Sequence, residues 1–217
     1  MKDKSDNSAF IRKCGIIEDK EGKTMLSDKV MQVFEQYNGT LPVKVAQAHG
    51  IDKDTLRKAF DRGDIERPRR GVYVLPDALE DEYFSLQSIY TKGIFSSLSA
   101  FELQNLSTVL SSYFYITFPQ GYNKNFNQTD ILAKIAPKDE YLLGVETVRT
   151  PEGNPVKTYN KERIIVDILR KTTPPTYEEK EALYDYFSAP EDLERLYDYA
   201  KFFGIENQVK QMEVRYA

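Results

Sequence analysis

The 217-residue chain has no tryptophan, one cysteine and one histidine, and each scarcity removes a class of chemistry. With Cys14 alone no intrachain disulfide can form, which fits a reducing compartment. A zinc site built from Cys and His needs several such ligands, and a Ser-His-Asp or Cys-His site would have to recruit His49. His49 closes the run Val45-Ala-Gln-Ala-His49, at the end of an expected short helix, where a histidine serves as a cap or surface residue. No apolar run approaches the roughly 20 residues needed to cross a bilayer, and Met1–Ile16 lacks the apolar core of a signal peptide. Nor is there a Gly-rich phosphate loop, since Gly39-Thr-Leu and Gly153-Asn-Pro read as turns. The expectation is a cytoplasmic protein with no membrane association, no catalytic residues, no cofactor and no metal.

What is present is a globular composition, 41% apolar with 15 Tyr and 12 Phe, and a net charge of −4. That sum hides an asymmetry. Residues 1–27 hold six Lys/Arg and five Asp/Glu, residues 28–75 hold nine and seven, and residues 76–217 hold fifteen and twenty-two. A mildly basic N-terminal part therefore precedes an acidic body, and the placement of the cations matters more than their number.

Residues 1–26 are polar and without periodicity, as in a flexible tail. From Ser27, apolar residues at 30, 33, 34 and 37 predict a helix, capped by Ser27 or Asp28 and stopped by Asn38-Gly39. A second helix is expected from Pro42 to Ala48, with Thr40 as its cap and Val45 and Ala48 inward. A third opens at Asp52 and ends at Gly63, with Leu56, Ala59 and Phe60 on one face. Its other face carries Arg57, Lys58 and Arg62 among acids, with Lys53 and Thr55 at the margins. Three short helices with tight turns predict a helix-turn-helix. The alternating run Ile65–Leu75 about Pro68-Arg-Arg-Gly71 adds a two-stranded wing with Arg67, Arg69 and Arg70 at its tip. A recognition helix meets base edges in the major groove and a wing reaches phosphate. The candidate DNA-binding residues are thus Lys53, Thr55, Arg57, Lys58, Arg62, Arg67, Arg69 and Arg70. The competing reading is a solvated helix face and a turn kept soluble by arginine.

Beyond Pro76 the pattern is mixed. Helices are expected at 79–90, 97–106 and 161–169, strands at 93–96, 111–119, 131–136 and 141–149, and a polar loop at 122–130. Three helices at about 177–187, 190–203 and 205–215 close the chain, their Tyr184, Phe187, Tyr197 and Phe202 serving a core or an interface. The fold class is α+β: an N-terminal winged helix-turn-helix, then a mixed α/β domain with C-terminal helices. The divisions are a tail at 1–26, a DNA-binding domain at 27–76 and a second domain at 77–217. Asp139, Glu140 and Glu146 raise the possibility of a metal-dependent nuclease, but they lack the convergent acid-x-Lys spacing of that chemistry and read better as surface acids.

Several stretches together resemble one family. They are Thr55-Leu-Arg-Lys58, Gly71-Val-Tyr-Val-Leu-Pro76, Phe95-Ser-Ser-Leu-Ser-Ala100, Tyr115-Ile-Thr-Phe-Pro-Gln-Gly-Tyr122, Thr158-Tyr-Asn-Lys-Glu-Arg-Ile-Ile-Val-Asp-Ile-Leu-Arg170 and Leu193–Gly204. In this order they resemble the AbiEi antitoxin family, over roughly residues 28–215. At Ser97 the chain departs from it, since the family often has histidine there. The resemblance implies an antitoxin of a type IV toxin–antitoxin system linked to abortive phage infection. It implies two jobs: a winged helix that binds inverted repeats in double-stranded DNA of its own promoter and represses the operon, oligomerising there, and a second domain that counters a nucleotidyltransferase toxin without a stable complex. Glu162, Arg163 and Asp167 read as a helix-borne ion-pair network or as antitoxin surface. Two other functions stand beside this one, a winged-helix transcription factor with a ligand-sensing or dimerising domain and a DNA-targeted nuclease.

Overall fold

Apolar residues at helical spacing become helices, and alternating runs become strands, in a computed structural model that describes residues 16–18, 24–108, 111–123 and 130–216. The expected tail is structured in part. Strands β1 (Ile16–Glu18) and β2 (Thr24–Leu26) pair antiparallel, Ile16 opposite Leu26. The rest of the tail, Cys14 included, lies outside the described residues.

The chain divides into two compact units. The first runs through Thr91 and takes in Thr150–Asn154. It contains helix α1 (Asp28–Gln36), strand β3 (Thr40–Pro42), helices α2 (Val43–Ala48) and α3 (Lys53–Arg62), strands β4 (Glu66–Arg69) and β5 (Val72–Val74), and helix α4 (Glu82–Ile89). Ser27 Oγ accepts the Val30 amide at 3.5 Å, and Asp52 accepts the Asp54 amide at 2.7 Å, so both expected caps form. The three strands make an antiparallel sheet in the order β3-β5-β4. Phe34, Leu41, Ala46, Leu56, Ala59 and Ile65 form the core between helices and sheet.

Three expectations are corrected here. Thr40 caps nothing: it lies in β3, and its hydroxyl accepts the Asp81 amide at 2.9 Å. Ala48 is exposed and Ala46 points inward, because α2 is only six residues long and one turn decides its buried face. Phe60 is 39% exposed, its ring 6.3 Å from that of Tyr73.

The unit also extends past residue 76, where the sequence suggested a boundary. Asp81 is fully buried and caps α4 through the Phe84 amide at 2.9 Å, so α4 begins at Glu82 and Leu79 is left in solvent. The same carboxylate accepts Thr150 Oγ1 at 2.6 Å and Asn154 Nδ2 at 2.8 Å.

The second unit comprises Lys92–Arg149 and Pro155–Ala217. Its strands are β6 (Ile94–Phe95), β7 (Phe114–Pro119), β8 (Ile131–Ala136), β9 (Val145–Arg149) and β10 (Pro155–Tyr159). They form one sheet in the order β8-β7-β6-β10-β9, parallel at β7–β8 and β6–β10 and antiparallel elsewhere. The helices are α5 (Ser97–Leu103), α6 (Lys138–Tyr141), α7 (Lys161–Leu169), α8 (Tyr177–Ser188), α9 (Leu193–Phe203) and α10 (Glu206–Tyr216). The strand expected at 141–149 is shortened by α6 and starts only at Val145. Among the described residues no helix is long and apolar enough to cross a membrane.

Helix α7 is the centre of this unit, and the two readings of its charged block separate cleanly. Arg163 is 1% exposed and donates to the carbonyls of Glu140 at 2.7 Å and Leu143 at 2.8 Å. Its Nε lies 3.3 Å from Asp167, and its guanidinium sits over the Tyr159 ring at 4.7 Å. Glu162 is buried against the Tyr186 hydroxyl at 3.2 Å. These groups are internal structure. They depend on Gly144, at φ +78°, where a Cβ would lie 2.6 Å from Arg163 Cβ. Gly144→Ala is therefore expected to lower stability by about 2–4 kcal/mol, from the left-handed backbone plus overpacking, measured by urea denaturation.

Alkaline pH tests the same core. Burial pushes the phenols of Tyr159 and Tyr186 well above their usual value. A hydrogen bond to Glu213, with burial, raises Tyr197 to about 12. The folded state thus favours the protonated phenols. Their stabilisation is complete below the unfolded tyrosine pKa of about 10 and is lost as pH climbs through the raised values. The urea midpoint should hold to about pH 10 and then fall toward pH 12, with a shallower fall in Tyr186→Phe.

Candidate nucleic-acid interface

Ten residues of α3 make a rod about 15 Å long, and its apolar side (Leu56, Ala59) is committed to the core. What remains for a partner is the outer face. Lys53, Arg57 and Lys58 are exposed there, and Thr55 is half-buried. Arg57 stands 3.7 Å from Asp54, both side chains more than half exposed, a pairing that solvent makes weak. Arg62 is differently placed. It lies 2.6 Å from the carboxylate of Asp64, just past the helix end, and is engaged there.

The hairpin β4–β5 divides its arginines in the same way. Arg67 is exposed, its guanidinium 5.8 Å from the centre of the Tyr73 ring. Tyr73 also lies against Phe60, so the hairpin and α3 share one aromatic contact. Arg70 is exposed at the turn, before Gly71 at φ +85°. Arg69 points elsewhere: its side chain is 13% exposed, with Nε 2.5 Å from Glu80 and Nη2 2.8 Å from Glu82.

Of the eight residues singled out in the sequence, Lys53, Arg57 and Lys58 on α3 and Arg67 and Arg70 on the hairpin are thus exposed cations, and Thr55 is half-buried beside them. Among the described residues no carboxylate pairs with Lys53, Lys58 or Arg70. Arg62 and Arg69 have their charge met internally. Sequence reasoning missed the groups that meet it, Asp64, Glu80 and Glu82, though the acidic run Asp77…Glu82 directly after the hairpin was a signal. It missed Lys29 and Lys44 too, exposed cations whose ammonium groups reach the carbonyls of Gly50 at 3.3 Å and Ser88 at 3.1 Å. His49 ends α2 as expected, hydrogen-bonded to the Tyr37 hydroxyl at 3.0 Å.

The acids that suggested a nuclease have separate partners. Glu140 pairs with Arg170 at 2.8 Å, and Glu146 accepts a hydrogen bond from Gln104. Among the described residues no group of three His, Cys, Asp or Glu could hold a metal ion.

Three short helices with tight turns and exposed cations on the last have the arrangement of a helix-turn-helix unit. The comparison with protein families agrees. Residues 28–76 match the family model described as transcriptional regulator, AbiEi antitoxin, and the resemblance seen in the sequence is borne out over these residues. That family is regulatory rather than catalytic, and the match covers less than a quarter of the chain. No curated protein matches the chain.

Because Arg69 is held by two carboxylates, Arg69→Ala should act on stability. Leaving Glu80 without its partner should cost about 2 kcal/mol in urea denaturation, while Arg70→Ala should leave the midpoint within error.

Proposed function

We propose that this protein is a cytoplasmic, winged-helix repressor of its own operon and the antitoxin of a type IV toxin–antitoxin pair. The observation that carries the reading is the extent of the family match. It runs from the first residue of α1 to just past β5, enclosing the three helices and the hairpin. The order α1-β3-α2-α3-β4-β5 supports reading it as a winged helix, with α3 as recognition helix and β4–β5 as wing. Residues 27–76 then form the reading head. Residues 77–217, most of them in the second unit, carry the antitoxin activity and act on a nucleotidyltransferase toxin without a stable complex.

On this reading the partner is double-stranded DNA bearing inverted repeats, bound by two copies of the chain. The N-terminal half of α3 (Lys53, Thr55, Arg57) meets base edges, while Lys58, Arg67 and Arg70 meet phosphates. Titration of the promoter fragment at several salt concentrations tests this division. Lys58→Ala and Arg70→Ala should each weaken binding to all sequences and reduce the salt slope by about one. Lys53→Ala or Arg57→Ala should cost about 1–3 kcal/mol at particular operator positions. Arg69→Ala should leave the slope unchanged. Wild-type binding by the first four variants would move the recognition surface elsewhere.

The antitoxin role is tested separately, with the whole chain, because Thr150 and Asn154 pack within the first unit. The double variant Lys58→Ala/Arg70→Ala, deficient in DNA binding, is expected to rescue growth when co-expressed with a neighbouring toxin gene. Loss of rescue in this folded variant would make the antitoxin effect depend on DNA.

A further inference from the structure

The second unit contains a cavity of about 360 Å³. It is partly open to solvent along β8, where Leu132 and Lys134 are exposed. A cavity of roughly 150 Å³ already accepts benzene, and small-molecule sites begin near 300 Å³. This space is therefore large enough for a ligand of two fused or linked rings.

Its walls say which kind. The rings of Phe101, Tyr115 and Tyr159 and the aliphatic chains of Ile164 and Ile168 line it, an apolar surface suited to a flat hydrocarbon body. The Tyr159 hydroxyl is spent on the Tyr141 carbonyl at 2.9 Å, so Tyr159 offers its ring. At one side Ser96, nearly buried, accepts from the Thr117 hydroxyl at 2.9 Å and keeps its own proton to donate.

Four charged side chains border the space, and three are already met. Asp167 pairs with Arg163 and Arg170, and Lys171 pairs with Glu179. Lys134, on strand β8, lines the cavity and has no carboxylate partner among the described residues. One unmatched cation beside an apolar chamber selects one negative charge.

We propose that this cavity binds a small organic monoanion, an aromatic carboxylate, with its rings among Phe101, Tyr115 and Tyr159 and its acid group at Lys134. The site is independent of the DNA reading, since every residue that forms it lies in the second unit.

The probe is 1-anilinonaphthalene-8-sulfonate, a two-ring-system monoanion that fluoresces in apolar surroundings, with neutral N-phenyl-1-naphthylamine as its uncharged counterpart. Each should bind the intact, cooperatively folding chain at one site, and 2-naphthoate should displace both. Lys134→Gln should weaken the sulfonate about tenfold and leave the neutral probe unchanged. Leu132 lines the cavity on the same face of β8 as Lys134, and Leu132→Trp, which enlarges that side chain into it, should abolish both. Non-saturable binding, failure of 2-naphthoate to compete, or equal effects of Lys134→Gln on the two probes would overturn the assignment. So would a folded Leu132→Trp that binds like wild type, and if that variant does not fold, Lys134→Gln decides alone.

Discussion

The carboxylate of Asp81 has no exposed surface, and an anion can be kept there only if hydrogen-bond donors replace the water it loses. Three do: the Phe84 amide, the Thr150 hydroxyl and the Asn154 amide group. The second hydrogen of that amide group goes to the Tyr37 carbonyl at 3.1 Å. From this one requirement much of the first unit follows. Helix α4 begins where Asp81 caps it, β3 receives the Asp81 amide on Thr40, and Thr150–Asn154 is drawn into a unit from which it is remote in sequence. The same stretch of chain puts Glu80 and Glu82 against Arg69.

The second unit answers the opposite problem, a buried cation. The guanidinium of Arg163 is accommodated by two carbonyls, one carboxylate and the faces of Tyr159 and Phe203. Asn160 caps α7 through the Arg163 amide at 3.0 Å and gives its own amide to the Gly144 carbonyl at 2.7 Å. Glu162 and Arg163 of the charged block are thus sealed inside, while Asp167 stays partly exposed.

Charge on the outer face of the first unit is smaller and more sharply placed than a count of arginines suggests. Arg62 and Arg69 are neutralised by acids of their own unit, which rigidifies the helix end and the hairpin. That leaves Lys53, Arg57 and Lys58 on one element and Arg67 and Arg70 on another, with Tyr73 touching both. Cations on two elements held in fixed register suit a groove and its flanking phosphates better than the same charges on a flexible loop, because less freedom is lost on binding.

Local chemistry alone determined α1, α3 and the β4–β5 turn. Ser27, Asp52, Gly63 and Gly71 satisfy backbone groups or adopt left-handed angles through contacts within a few residues, so their roles are legible in sequence. The regulator family was legible for the same reason, since its signature lies in that segment. Partners tens of residues apart were not legible: Asp81 with Thr150, Arg163 with Glu140, Arg69 with Glu82 only across a turn of unknown path. Burial of a charge depends on what the whole fold brings around it, and no periodicity records that. The sequence by itself determined which segments become helices and where the cations lie along them. Only the tertiary structure decided which of those cations face solvent, because an arginine's charge is spent or free according to the carboxylates that folding places within reach.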